Sequence, residues 1–226
     1  MTTIVLVHGL WADGSAWSET ITELRALGHE PVAAQLPLES MEDDVAAVRR
    51  VLSTVGGPVL LVGRSYGGAV TTNAAVGQDK VKALSYVAAF TPDEGESVSD
   101  MAHRNPGSLI RENIKVTEDG HSYIDRPAYG KVVAADAPAE RTALAAAVQK
   151  LPRLGIDSAP SGPPAWRSLP SHYLIATQDN ALPAATQREL ADRIDAKVTS
   201  WDTGHGPMYS RPTDLAAYLH GIAVGL

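Results

Sequence analysis

Residues 59–70 read Val-Leu-Leu-Val-Gly-Arg-Ser-Tyr-Gly-Gly-Ala-Val. An apolar run leads straight into Gly-x-Ser-x-Gly, and a helix-compatible run follows. This is the sequence form of a sharp strand-to-helix elbow that lifts one side chain, here Ser65, out of the sheet. Gly63 and Gly67 flank the serine because a Cβ at either place in so tight a turn would collide with the adjoining strand or helix. The helix starting near Tyr66 turns its unpaired N–H groups, the positive end of its dipole, toward the serine hydroxyl. A Gly-rich turn between a buried strand and a helix would leave the same letters. The meaning of Ser65 therefore depends on its context.

Three further stretches supply that context. Thr3-Ile4-Val5-Leu6-Val7 is a buried-strand pattern that ends in His8-Gly9-Leu10-Trp11. Acyl transfer needs two backbone N–H donors aimed at a developing oxyanion, and in an elbow one belongs to the residue after the nucleophile. Tyr66 and Leu10 are the expected oxyanion donors, with Gly9 letting the second loop come close. His8 reads as a buried histidine bonded to backbone. Ser171–Ala176 is again strand-like, with Asp179 just past its end, where α/β sheets gather functional groups. Asp179 suits the orientation of a histidine, although a turn or cap aspartate would sit there too. Val198–Trp201 is followed by a glycine-flanked His205 in a loop. The chain order Ser65, Asp179, His205 is that of elbow-type hydrolases.

With these motifs in hand, the chain resembles the α/β-hydrolases, and within them small bacterial esterases related to plant methylesterases and hydroxynitrile lyases. The resemblance covers nearly the whole chain. It rests on residues 7–17 (Val-His-Gly-Leu-Trp-Ala-Asp-Gly-Ser-Ala-Trp), 63–68 (Gly-Arg-Ser-Tyr-Gly-Gly), 88–93 (Ala-Ala-Phe-Thr-Pro-Asp), 177–179 (Thr-Gln-Asp) and Gly204-His205. It implies carboxylic-ester hydrolysis without a cofactor, on small or medium, fairly apolar substrates. The lyase members carry a threonine where this chain has Gly9 and a lysine where it has Gly206, which disfavours cyanohydrin chemistry here. Another triad chemistry (lyase, cyclase or decarboxylase) and a non-catalytic small-molecule receptor are the other readings that such a chain allows. The expected site is Ser65, Asp179 and His205, with Trp11, Phe90 and Met208 as pocket walls. Asp93 and Glu94, after the strand ending near Phe90, are rival candidates for the triad acid, since a triad is defined by geometry.

Composition narrows the class. A chain of 226 residues, 44% hydrophobic, suits one compact α/β domain. Its formal charge of −7 argues against nucleic acid and anionic membrane surfaces as partners. There is no cysteine, so thiol catalysis, disulfides and thiolate metal sites are excluded. The seven histidines show no His-x-x-x-His spacing, and no metal site is expected. No export signal or membrane span is legible, and a cytoplasmic protein is the expectation. Oligomeric state is not legible.

The organisation follows from alternating patterns. Strands are expected near 3–8, 31–35, 58–64, 82–89, 171–177 and 197–202, and helices near 16–27, 40–55, 66–77, 184–195 and 212–223. Alternation implies a doubly wound, mostly parallel sheet of about six strands. Residues 91–170 interrupt it, richer in charge and proline, with a helix over 137–149. They are expected to form a helical lid inserted into a hydrolase core of 1–90 and 171–226.

Overall fold

The computed structural model describes residues 2–226. In chain order the elements are β1 (Thr3–Val7), α1 (Ser18–Ala26), β2 (Glu30–Ala34), α2 (Met41–Thr54), β3 (Val59–Arg64), α3 (Tyr66–Ala74), β4 (Val81–Val87), α4 (Val98–Ala102), the single turn α5 (Ile110–Asn113), β5 (Ile114–Val116), β6 (Ser122–Ile124), α6 (Arg126–Val133), α7 (Ala139–Val148), β7 (Ser171–Ala176), α8 (Ala184–Asp192), β8 (Lys197–Trp201), the single turn α9 (Pro207–Ser210) and α10 (Pro212–Ala223). Six strands form one sheet in the order β2-β1-β3-β4-β7-β8, parallel throughout. No helix among the described residues is long and apolar enough to cross a membrane.

The central strands are apolar on both faces because both are covered. Successive side chains of a strand point to opposite sides. Ile4, Leu6, Leu60 and Val62 therefore pack with Leu24 of α1 and with Leu215 and Leu219 of α10. Val5, Val7, Val59 and Leu61 pack with Val48 and Leu52 of α2, Val70 of α3 and Leu190 of α8. Each fully buried leucine or valine contributes about 1.5–3 kcal/mol relative to exposure, so this double-sided burial is the main source of stability.

The helix ends follow side-chain chemistry. Ser40 caps α2 by accepting the Asp43 N–H at 3.0 Å. Asp13 accepts the Ser15 N–H at 2.8 Å and opens a 3₁₀ turn, Gly14–Trp17, ahead of α1. The helix expected over 16–27 is thus two segments. The helix expected over 66–77 stops at Ala74, three residues early.

Residues 91–170 lie between β4 and β7 and hold α4 to α7 and the antiparallel hairpin of β5 and β6. The helix expected at 137–149 is α7. The hairpin carried no legible signal, its strands being three residues each. The segment forms its own cluster, with Ile124, Tyr129, Val132, Val133, Ala145 and Ala146 packing against Trp11 and Ala181 at the carboxyl edge of the sheet.

The elbow itself has no slack. A Cβ added at Gly63 would lie 2.5 Å from the Gly67 carbonyl oxygen and 2.8 Å from Gly68 Cα. Gly63→Ala is expected to cost more than about 2 kcal/mol, since overpacking against backbone cannot relax by rotamer change. A urea titration followed by circular dichroism measures this. An unchanged midpoint would mean that the elbow can open without strain.

Candidate active site

Ser65 joins β3 to α3 with φ 55° and ψ −128°. A non-glycine residue in such a conformation costs on the order of 1–3 kcal/mol and persists only where its surroundings over-determine it. They do so here. The Ser65 N–H donates to the Val87 carbonyl at 3.3 Å, and the Ser65 carbonyl accepts from Gly68 at 2.9 Å and Phe90 at 3.1 Å. Tyr66 is the first residue of α3, so its N–H has no acceptor within the helix.

Three strand ends converge on the Ser65 hydroxyl. His205, in the loop after β8, lies with Nε2 2.9 Å from Ser65 Oγ and Nδ1 2.6 Å from Asp179 Oδ2. Asp179 lies in the loop after β7. Its Oδ1 accepts the N–H groups of Ala181 at 2.7 Å and Leu182 at 2.8 Å, and its Oδ2 also accepts from the Gln187 amide at 2.8 Å. Acceptor-only Asp179 places the imidazole proton on Nδ1, leaving Nε2 free to accept the serine proton. Burial, then the nearby Arg64 charge, lowers His205 below the ordinary histidine value, with Asp179 pulling the other way. Such an environment favours the neutral imidazole.

Leu10, Trp11, Arg64, Ile110, Val132, Val133 and Ala181 surround Ser65 and His205 in a narrow, tightly closed cleft. Of the expected pocket residues, only Trp11 lies there. Phe90 packs in the core between the sheet and α2, α3 and α8, because its backbone runs beneath the elbow and a Cβ at Gly68 would meet its carbonyl at 2.5 Å. Met208 turns toward Trp17 and Leu215 in the opposite core. Leu10 lines the cavity, while the Tyr66 ring points away and its hydroxyl donates to the buried Asp44 at 2.8 Å. Ile110, Val132, Val133 and Ala181 escaped the sequence reading, since single apolar residues in an irregular segment carry no signal of what they face. Arg64 did carry one: it is the only charged residue between Val59 and Val70.

The rival acids lie in other company. Asp93 pairs with Arg167 at 2.5 Å. Glu94 makes no bond to His205, whose Nδ1 is taken by Asp179. Among the described residues, no three His, Cys, Asp or Glu side chains are grouped to hold a metal ion.

His8 is a structural histidine. The Leu36 N–H donates to its Nε2 at 3.1 Å, so its Nδ1–H donates to the Gly9 carbonyl at 2.9 Å. Burial pushes the imidazole from its ordinary 6.5 down to about 4. The folded value lies below the unfolded one, so this contribution to stability is complete above 6.5 and is lost as pH falls toward 4. The loss should reach about 3 kcal/mol, visible as a falling urea midpoint across that interval. His8→Asn should flatten that part of the curve, and an equally steep curve in the variant would assign the acid sensitivity elsewhere.

Comparison with known proteins gives one direction. The model of the alpha/beta hydrolase family matches residues 4–218. The probable hydrolase R7 of a Phoma species is 28% identical over 238 aligned positions, 94% of each chain. Methylesterase 7 of Arabidopsis thaliana is 25% identical, covering 97% of this chain and 95% of its own. The crystal structure of a pyrethroid hydrolase from Sphingobium faniae superposes with a TM-score of 0.81 at 24% identity, covering 99% of this chain and 97% of that one.

Proposed function

This chain belongs to the alpha/beta hydrolase family, and from that premise we propose that it cleaves carboxylic esters of small or medium, fairly apolar molecules through an acyl-enzyme. The observation that carries the reading is the hydrogen-bonded series from Ser65 Oγ through His205 to Asp179, at 2.9 and 2.6 Å. The relatives named methylesterase and hydrolase support the same chemistry.

In this reading Ser65 Oγ attacks the ester carbonyl carbon and passes its proton to His205 Nε2. The Leu10 and Tyr66 N–H groups receive the oxyanion, and their fixed orientation makes them effective without reorganisation. As the tetrahedral species collapses, the C–O bond breaks and His205 returns the proton to the leaving alcohol. Water then adds to the acyl-enzyme, His205 takes its proton, and the carboxylic acid departs as Ser65 recovers its own. Asp179 keeps the Nδ1 proton in place and stabilises the imidazolium. No cofactor or metal enters these steps. Residues 91–170 act as the lid, contributing Ile110, Val132 and Val133 to the apolar wall. A cytoplasmic location remains part of the proposal.

Cyanohydrin cleavage is disfavoured by space. A Cβ at Gly9 would lie 2.8 Å from Ser65 Cβ, and one at Gly206 would lie 2.6 Å from Tyr209 Cδ2. Neither the threonine nor the lysine of the lyases fits as the backbone stands. Mandelonitrile should therefore release cyanide no faster with enzyme than without it. Enzyme-dependent release that disappears in Ser65→Ala would make the protein a lyase.

Ser65→Ala should lower hydrolysis of short p-nitrophenyl esters by about 10⁴-fold or more with the fold intact. A phosphonate should label Ser65 in the wild type, as read by peptide mass. Asp179→Asn should cost about 10³–10⁴-fold through the wrong imidazole tautomer, whereas Asp93→Asn and Glu94→Gln should each cost under about tenfold. More than a few per cent residual activity in a clean Ser65→Ala preparation refutes the assignment. A large effect at Asp93 or Glu94 would move the acid there.

A further inference from the structure

Arg64 is a buried cation without a counter-ion. It is 3% exposed, and no ion pair among the described residues includes it. Its Nε–H donates to the His205 carbonyl at 3.3 Å, and its Nη2 is buried with no hydrogen-bond partner. A guanidinium taken out of water without an anion is costly, and cheaper residues fit a strand end. Its position implies a use.

Resting on the ester-hydrolase reading above, we infer that Arg64 is a positioning residue for His205. One N–H fixes the loop that carries the imidazole, and its permanent charge opposes proton uptake by the ring before substrate arrives. Burial does most to keep the ring neutral, and Arg64 adds to it against Asp179, whose charge at 2.6 Å favours the imidazolium.

The surrounding groups leave this task to Arg64. His8, at the end of β1, is neutral above about 4. Tyr129 on α6 and Tyr209 on α9 are held protonated by burial. Asp136, before α7, accepts the Gly204 N–H at 2.9 Å and is kept anionic by its bonds to Thr203 and Ser210. Asp13, before α1, is the other anion on this side, and its carboxylate is bonded to Ser15. The charges that act directly on the His205 ring are thus Arg64 and Asp179, with opposite signs.

The same charge need not slow the reaction. In the transition state the imidazolium and the oxyanion appear together. Arg64 repels one and attracts the other, so its effects there largely cancel. Only the resting enzyme, where imidazolium forms alone, feels the full repulsion.

The test is a pair of substitutions that separate charge from hydrogen bonding. Arg64→Gln keeps a donor for the His205 carbonyl and removes the charge. Arg64→Lys keeps the charge. In Arg64→Gln the acid limb of kcat/KM should move up by about one pH unit, so activity on the acid side falls about tenfold more than at the plateau. The His205 ring resonance should titrate higher by the same amount in NMR. In Arg64→Lys both should stay at the wild-type position. An unmoved His205 titration in folded Arg64→Gln, or equal movement in both variants, overturns the inference. The NMR reading needs no turnover, so it remains interpretable if Ser65→Ala proves active and the ester-hydrolase reading itself fails.

Discussion

A serine at positive φ between a strand and a helix is the constraint on which the rest is built. The strain is local, but the bonds that hold it are not. Val87 comes from the end of β4, Phe90 from the start of the long insertion, and Gly68 from the first turn of α3. The elbow can keep its shape only inside an assembled sheet. In return, the sheet is brought close at that point by glycines: a Cβ at Gly67 would meet the His8 carbonyl at 2.5 Å. Fold and site are thus one packing problem, and the apolar cores on both faces stabilise the strained residue at its centre.

The second element of the design is the electrostatic arrangement of a buried site. Ser65, Asp179 and His205 are nearly excluded from water, where each charge acts strongly. Asp179 is satisfied by two backbone N–H groups and Gln187 as well as by His205, so its negative charge is shared among donors. Arg64, whose Nε–H reaches the His205 carbonyl, has no anionic partner among the described residues to share its charge. Burial and these two opposed charges together set the protonation of the imidazole.

Much of this was legible in the sequence because local and global requirements coincide there. The six sheet strands and the helices between them have apolar patterns long enough to read, and Gly-x-Ser-x-Gly fixed the elbow to within a residue. Asp179 and His205 could be placed at strand ends, but only the folded chain brings them to Ser65 at hydrogen-bond distance. The pocket was not legible. Phe90 and Met208 were apolar residues close in sequence to the motifs, and both were drawn into the two large cores instead. Ile110, Val132 and Val133 come from an insertion whose hairpin has strands of three residues, too short for a period to show. What an apolar side chain faces is decided by packing between distant segments, and that information is not local.

The loop that carries Leu10 is tied to the insertion, not only to the sheet. Trp11 stands at φ 54°, its indole N–H donates to Ser122 Oγ at 3.2 Å, and its carbonyl accepts from Tyr129 at 2.8 Å. Ser122 and Tyr129 both belong to the proposed lid. If that segment swings away to admit a molecule, it takes the supports of the Leu10 N–H with it. Entry and chemical competence would then exclude each other in time. Turnover would be gated by a conformational cycle, and the rate would respond to solvent viscosity even though no bond is made or broken in the slow step.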